Sequence, residues 1–168
     1  MKNLYFLVLF AIVLASCQPN AKDTSKTTSS HNDTLVTAKK NPNFQWEAAT
    51  IYFLLTDRFN NGNPENDLNF ERDEATGKLR GFMGGDIQGI TQKINEGYFT
   101  KLGVNAIWFT PVIEQVHGAT DEGTGNTYAY HGYWAKDWTT LDPNFGTEKD
   151  LETLVKTAHE NGIRVLLD

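Results

Sequence analysis

Basic residues are few in this sequence of 168 residues, and they are almost never clustered. There are 15 Lys and Arg against 21 Asp and Glu, which gives a formal net charge of −6. Beyond the pair Lys39-Lys40 there is no basic cluster. A protein that binds a polyanion carries a basic stripe or patch. The composition therefore argues against a nucleic-acid partner.

The N-terminal apolar run is too short to cross a membrane, because a spanning helix needs about 20 apolar residues. The run from Leu4 to Ala15 follows one basic residue, Lys2. A charged start followed by an apolar stretch of this length is typical of a secretory signal peptide. We therefore expect residues 1–16 to be a signal peptide and the protein to be exported.

Cysteine is nearly absent, since Cys17 is the only one in the sequence. It follows Leu14-Ala15-Ser16, and small residues before a cysteine at this point resemble the bacterial lipobox. The resemblance implies a lipoprotein that is held at a membrane surface only through acyl chains on Cys17. The alternative is an ordinary signal peptide that is cleaved nearby and leaves a free thiol, although exported proteins rarely keep one odd cysteine.

Large apolar residues are scarce after the signal peptide. Residues 17–43 are dominated by Ser, Thr, Lys, Asp and Asn, with only Leu35 and Val36 as large apolar side chains. Such a segment buries too little surface to offset its chain entropy. We expect a disordered tether over residues 17–43 and a folded region over residues 44–168.

The folded region alternates between strand and helix patterns. Residues 49–57, 103–111 and 162–168 are continuous apolar runs, typical of parallel strands that are buried on both faces. Apolar residues at helical spacing follow Asp86 up to Leu102, and a clearer helical stripe covers residues 147–161. In the second helix Thr147, with Asp150 three residues later, predicts a capping-box start. The order is therefore strand, long loop, helix, strand, long loop, helix, strand, which predicts an α/β fold.

Three parallel strands alone leave open sheet edges. The sequence stops at Asp168, at the end of the third apolar run. We therefore expect residues 44–168 to be the first part of a larger domain, one that does not fold stably by itself.

Several segments of this region resemble successive blocks of the α-amylase family of glycoside hydrolases. They are "IYFLLTDRFNNGNPEND", "GGDIQGI", "INEGYFTKLGVNAIWFTPV", "YHGYWAKDW", "LDPNFGT" and "DLETLVKTAHENGIRVLLD", in the order of the family. The resemblance implies the N-terminal part, with the first three strands, of an incomplete (β/α)8 TIM barrel. It also implies that the catalytic carboxylates come from later strands, so no residue here is assigned as catalytic.

The segment Thr127–Trp138 combines aromatic and polar side chains, which together suit sugars. By the resemblance, Tyr133 stacks under the sugar at the cleavage point, and His131 and Trp134 contact that sugar or its neighbour. Asp168 would be the first residue of a conserved family block and would order the site. From residue types alone, packing in the core is the commoner role for such aromatics.

The segment "DRFNNGNPEND" holds many oxygen-bearing side chains, and Asn, Gly, Asp and Pro are also the ordinary turn residues. The spacing of an EF-hand is absent. Some amylase-family members, notably cyclodextrin glucanotransferases and neopullulanase-like enzymes, bind Ca²⁺ with this loop and a later Gly-x-Asp. The resemblance implies a Ca²⁺ site formed by Asn61, Asn63, Asn66, Asp67, Gly84 and Asp86.

The family implies hydrolysis of α-1,4-glucosidic bonds in starch or maltooligosaccharides by a retaining mechanism. One alternative is a transglycosylase with the same machinery. The other is a surface lipoprotein that binds glycans without catalysis, because a fold does not guarantee an activity. In each case the expected partner is an α-glucan.

Overall fold

The computed structural model describes residues 44–72 and 75–168. The predicted signal peptide, Cys17 and the tether lie outside the described residues. Within them the strands, in chain order, are β1 (Ile51–Leu54), β2 (Ala106–Phe109), β3 (Ile113–Gln115), β4 (Thr120–Asp121), β5 (Asn126–Thr127), β6 (Ala135–Leu141) and β7 (Arg164–Leu167). The helices are α1 (Thr56–Phe59), α2 (Ile87–Asn95), α3 (Tyr98–Lys101) and α4 (Glu148–Glu160), with 3₁₀ turns at Trp46–Ala48 and Pro64–Asn66.

The predicted parallel sheet is present, with strands in the order β1–β2–β7. The register pairs Leu54 with Phe109 and Phe109 with Leu167, so the strands end together at one edge. Strand β1 is shorter than its apolar run because the run turns into the helical turn α1. There the backbone N–H of Thr56 donates to the Thr110 side chain at 3.1 Å instead of continuing the ladder.

The helices begin where the sequence predicts, but the first helical pattern is split in two. Gly97 has φ 72°, a left-handed conformation, and it separates α2 from α3. Helix α2 begins after Asp86, whose side chain accepts from the backbone N–H of Gly89. Helix α4 begins with a full capping box between Thr147 and Asp150, as the sequence predicts.

The core lies between one face of the sheet and the helices. Its buried apolar side chains are Leu54, Ile87, Ile90, Ile94, Phe99, Val104, Ile107, Phe109, Val112, Phe145, Leu154, Ala158 and Ile163. The opposite face of the sheet carries Ile51, Phe53 and Trp108, which are exposed. The prediction of burial on both faces is therefore wrong for the described residues, since their helices cover only one face.

Two small antiparallel pairs fold inside what the sequence indicates as long loops. Strand β3 pairs with β6, and β4 pairs with β5. Gly132, in the segment before β6, lies against the carbonyl of Pro111, which follows β2. No helix within residues 44–72 and 75–168 is both long enough and apolar enough to cross a bilayer.

Candidate functional site

The candidate site lies at the edge where the three parallel strands end. Thr56, just after β1, and Thr110, just after β2, are joined there by three hydrogen bonds of 3.1–3.3 Å. Asp168 follows β7, and its backbone N–H donates to the carbonyl of Phe109 at 3.3 Å. Residues that follow all three strands therefore share one edge.

Tyr133 and Asp168 meet at this edge although they are 35 residues apart. The Tyr133 hydroxyl donates to Asp168 Oδ2 at 2.6 Å. That hydrogen bond is the main reason why the pKa of Tyr133 is raised above its ordinary value of 10.0. Tyr133 is nevertheless 53% exposed, so the residue remains accessible to solvent although its hydroxyl is held.

His131 packs between the aromatic neighbours of the same segment. Its ring stacks on Tyr133 with centroids 5.8 Å apart and meets Trp134 edge-on at 4.8 Å. The backbone N–H of Tyr133 donates to His131 Nδ1 at 3.0 Å, which assigns the proton of the neutral ring to Nε2. Burial lowers the pKa of His131 below 6.5, with a smaller opposing effect from Glu122.

Gly132 is required by the tight turn that arranges these rings. It has φ 88°, and a Cβ there would collide with the carbonyl of Pro111. Trp134 is fixed through its backbone N–H, which donates to the buried side chain of Gln115 at 2.8 Å. The structure therefore brings together all four residues predicted for the sugar site: Tyr133, His131, Trp134 and Asp168.

Several polar groups of the amide-rich loop, residues 57–67, are hydrogen-bonded to Asp86. Asp86 Oδ1 accepts from the N–H groups of Gly89 at 2.6 Å and Gly62 at 3.1 Å. Its Oδ2 accepts from the N–H of Asn63 at 2.8 Å and from the Asn66 side chain at 3.3 Å. Asp86 is thus both the cap of α2 and the holder of the loop.

Two features of this loop fit a hard cation. The side-chain Oδ1 of Asn66 is buried and has no hydrogen-bond partner. The carboxylate of Asp67 contacts the Asn61 side chain at 2.8 and 2.9 Å, and both border Gly84, where a Cβ would strike them. Among the described residues no three His, Cys, Asp or Glu side chains form a group that could hold a metal ion. A site here would depend on amide and backbone oxygens beside the carboxylates, as Ca²⁺ accepts.

A buried polar network joins this loop to the aromatic segment, Thr127–Trp138. Two of its members, Arg72 and Gln115, were not predicted from the sequence. Arg72 Nη1 donates to Asn144 Oδ1 at 2.6 Å, and Arg72 Nη2 donates to the Gln115 carbonyl at 3.1 Å. The Asn144 amide donates to the carbonyls of Asn66 at 3.1 Å and Asp67 at 2.6 Å. The only sequence signal was the block "LDPNFGT", which carries Asn144.

Comparison with known proteins adds the family. The model of the family described as "Alpha amylase, catalytic domain" matches residues 53–168. The periplasmic α-amylase of Escherichia coli (strain K12) is 49% identical over 129 residues, which cover 74% of this chain and 19% of that protein.

Two solved structures are similar in fold as well as sequence. The cyclomaltodextrin glucanotransferase CldA is 41% identical with a TM-score of 0.63, over 71% of this chain and 25% of that one. An α-amylase from Geobacillus thermoleovorans, complexed with acarbose, is 38% identical with a TM-score of 0.55, over 74% of this chain and 23% of that one. The chain spans about a fifth of the length of the curated relatives it matches.

Proposed function

Since this chain belongs to the α-amylase family of catalytic domains, we propose that the full-length protein cleaves α-1,4-glucosidic bonds in starch-like glucans and maltooligosaccharides. The parallel sheet and its helices are part of a TIM barrel. In such barrels the active site lies at the carboxyl ends of the strands. The observation that carries the proposal is the hydrogen bond from Tyr133 to Asp168 at that edge.

The aromatic segment offers the two kinds of contact that a glucose unit needs. The exposed ring of Tyr133 provides a flat surface for the C–H face of the sugar. The bond to Asp168 fixes the orientation of that ring. His131 has its Nδ1 occupied, so its Nε2–H is the proton that can be donated to a sugar hydroxyl. Burial lowers the pKa of His131, which favours this neutral form of the ring.

The proposed reaction is retaining hydrolysis, in which one carboxylate forms a covalent glycosyl-enzyme and another acts as acid and then base. We assign neither carboxylate to the described residues. What this chain supplies is the binding and orientation of the sugar through Tyr133, His131, Trp134 and Asp168. Relatives of the family divide between amylases and glucanotransferases.

Transfer to a sugar hydroxyl is therefore the second candidate, and similarity to a cyclomaltodextrin glucanotransferase favours it. The test is product analysis with the full-length protein on soluble starch. Linear maltooligosaccharides with new reducing ends support hydrolysis, and cyclic products or elongated acceptors support transfer. Glucan binding without any product would leave only the non-catalytic surface lipoprotein.

We also propose a Ca²⁺ ion as a cofactor that joins two loops. Asn61, Asn63, Asn66, Asp67, Gly84 and Asp86 would hold it. The buried oxygen of Asn66 without a partner supports the proposal. The ion would supply structural stability and no chemistry to the sugar. Carboxylate, amide and backbone oxygens are the ligands that a hard cation prefers.

The proposed location is outside the cytoplasm, anchored to a membrane through lipid on Cys17. The support is the apolar run before Cys17 and the similarity to an amylase named as periplasmic. Labelling of the full-length protein with radioactive palmitate tests the anchor. Incorporation that is lost in Cys17→Ser supports it, and an unlabelled protein that is exported would contradict it.

A further inference from the structure

Arg58 contacts three parts of the chain, and one of them is the aromatic segment. It belongs to α1, which follows strand β1 at the edge where the candidate site lies. Its guanidinium contacts the preceding Asp57, two backbone carbonyls near residue 80, and the ring of Tyr130. The proposed function does not use this residue.

The first contact fixes the near end of the guanidinium. Arg58 Nε lies 2.8 Å from Asp57 Oδ2, and the Asp57 side chain is 1% exposed. Nε itself has no hydrogen-bond partner, so its contact with Asp57 is an ion pair without a hydrogen bond. The two oxygens of Asp57 are held in turn by the backbone N–H of Met83, at 2.9 and 3.0 Å.

The second contact fixes the far end. Arg58 Nη2 donates to the carbonyls of Leu79 at 3.0 Å and Gly81 at 2.8 Å. Leu79 has φ 62°, a left-handed conformation that is unfavourable for a branched side chain. Arg58 thus helps to hold a strained turn in place and takes its own position from that turn.

The third contact reaches the site. The guanidinium carbon lies 3.7 Å from the centroid of the Tyr130 ring, a cation–π geometry. Tyr130 meets His131 edge-on with centroids 5.4 Å apart, and His131 packs on Tyr133 and Trp134. A continuous series of contacts therefore runs from Arg58 to the rings that face the sugar.

We propose that Arg58 is a positioning residue for glucan binding: it fixes the ring of Tyr130 and, through that ring, the imidazole of His131. The inference rests on the glucan-binding role proposed above for the segment. Only a planar guanidinium can donate to two carbonyls and stack on a ring at the same time. A lysine keeps the charge but cannot keep all three contacts.

The kinetic test compares Arg58→Lys with wild type in the full-length protein, on soluble starch and maltooligosaccharides. We expect KM to rise roughly tenfold, since the cation–π contact and two hydrogen bonds are weakened, while kcat changes much less. Arg164→Lys is the matched control. The guanidinium of Arg164 lies 5.1 Å from the centroid of the Phe44 ring, a similar contact that is outside the candidate site. Equal KM values for Arg58→Lys and wild type would overturn the proposal.

A second variant tests the route through Tyr130. Tyr130→Leu removes the ring but leaves the ion pair and the carbonyl contacts of Arg58. If Arg58 acts through Tyr130, the double variant that combines Arg58→Lys with Tyr130→Leu should have nearly the same KM as Tyr130→Leu alone. Independent, multiplying effects of the two substitutions would contradict the route.

A measurement without substrate separates this proposal from the proposed function. Histidine NMR of the full-length protein gives the pKa of His131. Burial lowers this pKa, and the charge of Glu122 opposes the lowering. Because lysine retains the charge, a loosened Tyr130 in Arg58→Lys should move the pKa of His131 towards 6.5, and Arg164→Lys should not. An unchanged His131 titration overturns the positioning role. A moved titration in a protein that neither binds nor cleaves glucan supports positioning and overturns the proposed function instead.

Discussion

Arg72 and Asp142 form a completely buried ion pair across 70 residues of sequence. Arg72 Nη1 donates to Asp142 Oδ1 at 2.9 Å and Nη2 donates to Oδ2 at 2.7 Å, so the pair is bidentate. Both side chains have 0% exposure. Asp142 Oδ2 also accepts from the backbone N–H of Gln115 at 2.9 Å. The pair therefore holds the amide-rich loop and the aromatic segment in one arrangement.

Loss of the Asp142 charge should destabilise the protein strongly. Asp142→Asn keeps the shape but leaves the guanidinium of Arg72 buried without an opposite charge. Breaking one side of a buried pair costs on the order of 3–5 kcal/mol. Denaturant unfolding of the full-length protein measures the change. Glu152→Gln is the control, because it disrupts the exposed pair with Lys149 and should leave the midpoint nearly unchanged.

A loss of stability in Asp142→Asn no larger than that of Glu152→Gln would show that Arg72 finds another partner. The expectation rests on burial, because both side chains are fully buried and an unpaired charge in a buried environment is costly.

Two substitutions at Tyr133 separate its ring from its hydroxyl. Tyr133→Phe removes the donor to Asp168 and should lower kcat/KM on starch by roughly tenfold, about the value of one hydrogen bond. Tyr133→Ala removes the ring as well and should lower kcat/KM by roughly 100-fold, equivalent to about 2.7 kcal/mol. Trp138→Ala is the control, since Trp138 is 77% exposed and is not among the residues proposed to bind the sugar. Unchanged kinetics in Tyr133→Ala would remove Tyr133 from the site.

The fold was predictable where the signal is local. The apolar runs around Ile51, Ala106 and Arg164 gave the three parallel strands, and Thr147 with Asp150 gave the start of α4. The break at Gly97 was missed because the apolar spacing continues through it, and only its left-handed φ reveals two helices. Strands β3 to β6 were missed because they are short or polar, so their periodicity is weak.

The site was predictable only as far as a motif could reach. The resemblance selected Tyr133 and Asp168, and the parallel register brings them together. Arg72 was missed because an arginine in a polar loop has the pattern of a surface residue. Its burial follows from Asp142 and Asn144, which lie about 70 residues away, and no local pattern encodes that contact.

The stability of the protein should depend on the titration of His131 in a defined direction. Burial lowers the folded pKa of His131 below 6.5, its ordinary value, so the unfolded chain binds more protons in the window below 6.5. The free energy of unfolding therefore rises with pH between the lowered folded pKa and 6.5. His131→Gln should flatten this part of the curve of melting temperature against pH. His159→Gln is a comparison at a second histidine whose pKa is lowered by burial outside the site.

The same titration should affect glucan binding, and His159 should not. Protonation places a second proton on the imidazole and disturbs the acceptor that Nδ1 offers to the backbone N–H of Tyr133. KM should rise as the pH falls below the folded pKa of His131 and stay level above it. If KM does not change as the pH falls below the folded pKa of His131, in wild type and in His159→Gln alike, His131 has no role in sugar binding.

Calcium should bind the protein through Asp67 and stabilise it. The protein, freed of metal with a chelator, should give binding heat with Ca²⁺ in calorimetry and a rise in melting temperature. Saturation at about 100 times Kd would contribute about 2.7 kcal/mol to the free energy of unfolding.

Asp67→Asn should weaken the affinity at least roughly tenfold, since carboxylates dominate the attraction to Ca²⁺. Glu65→Gln removes one negative charge from the same loop, but Glu65 is not among the proposed ligands, so its affinity should stay near wild type. If Ca²⁺ gives neither heat nor a higher melting temperature, the loop is a turn held by its own hydrogen bonds and those of Asp86 and Asn144. If both variants lose affinity equally, the effect is the net charge of the loop and Asp67 is not a ligand.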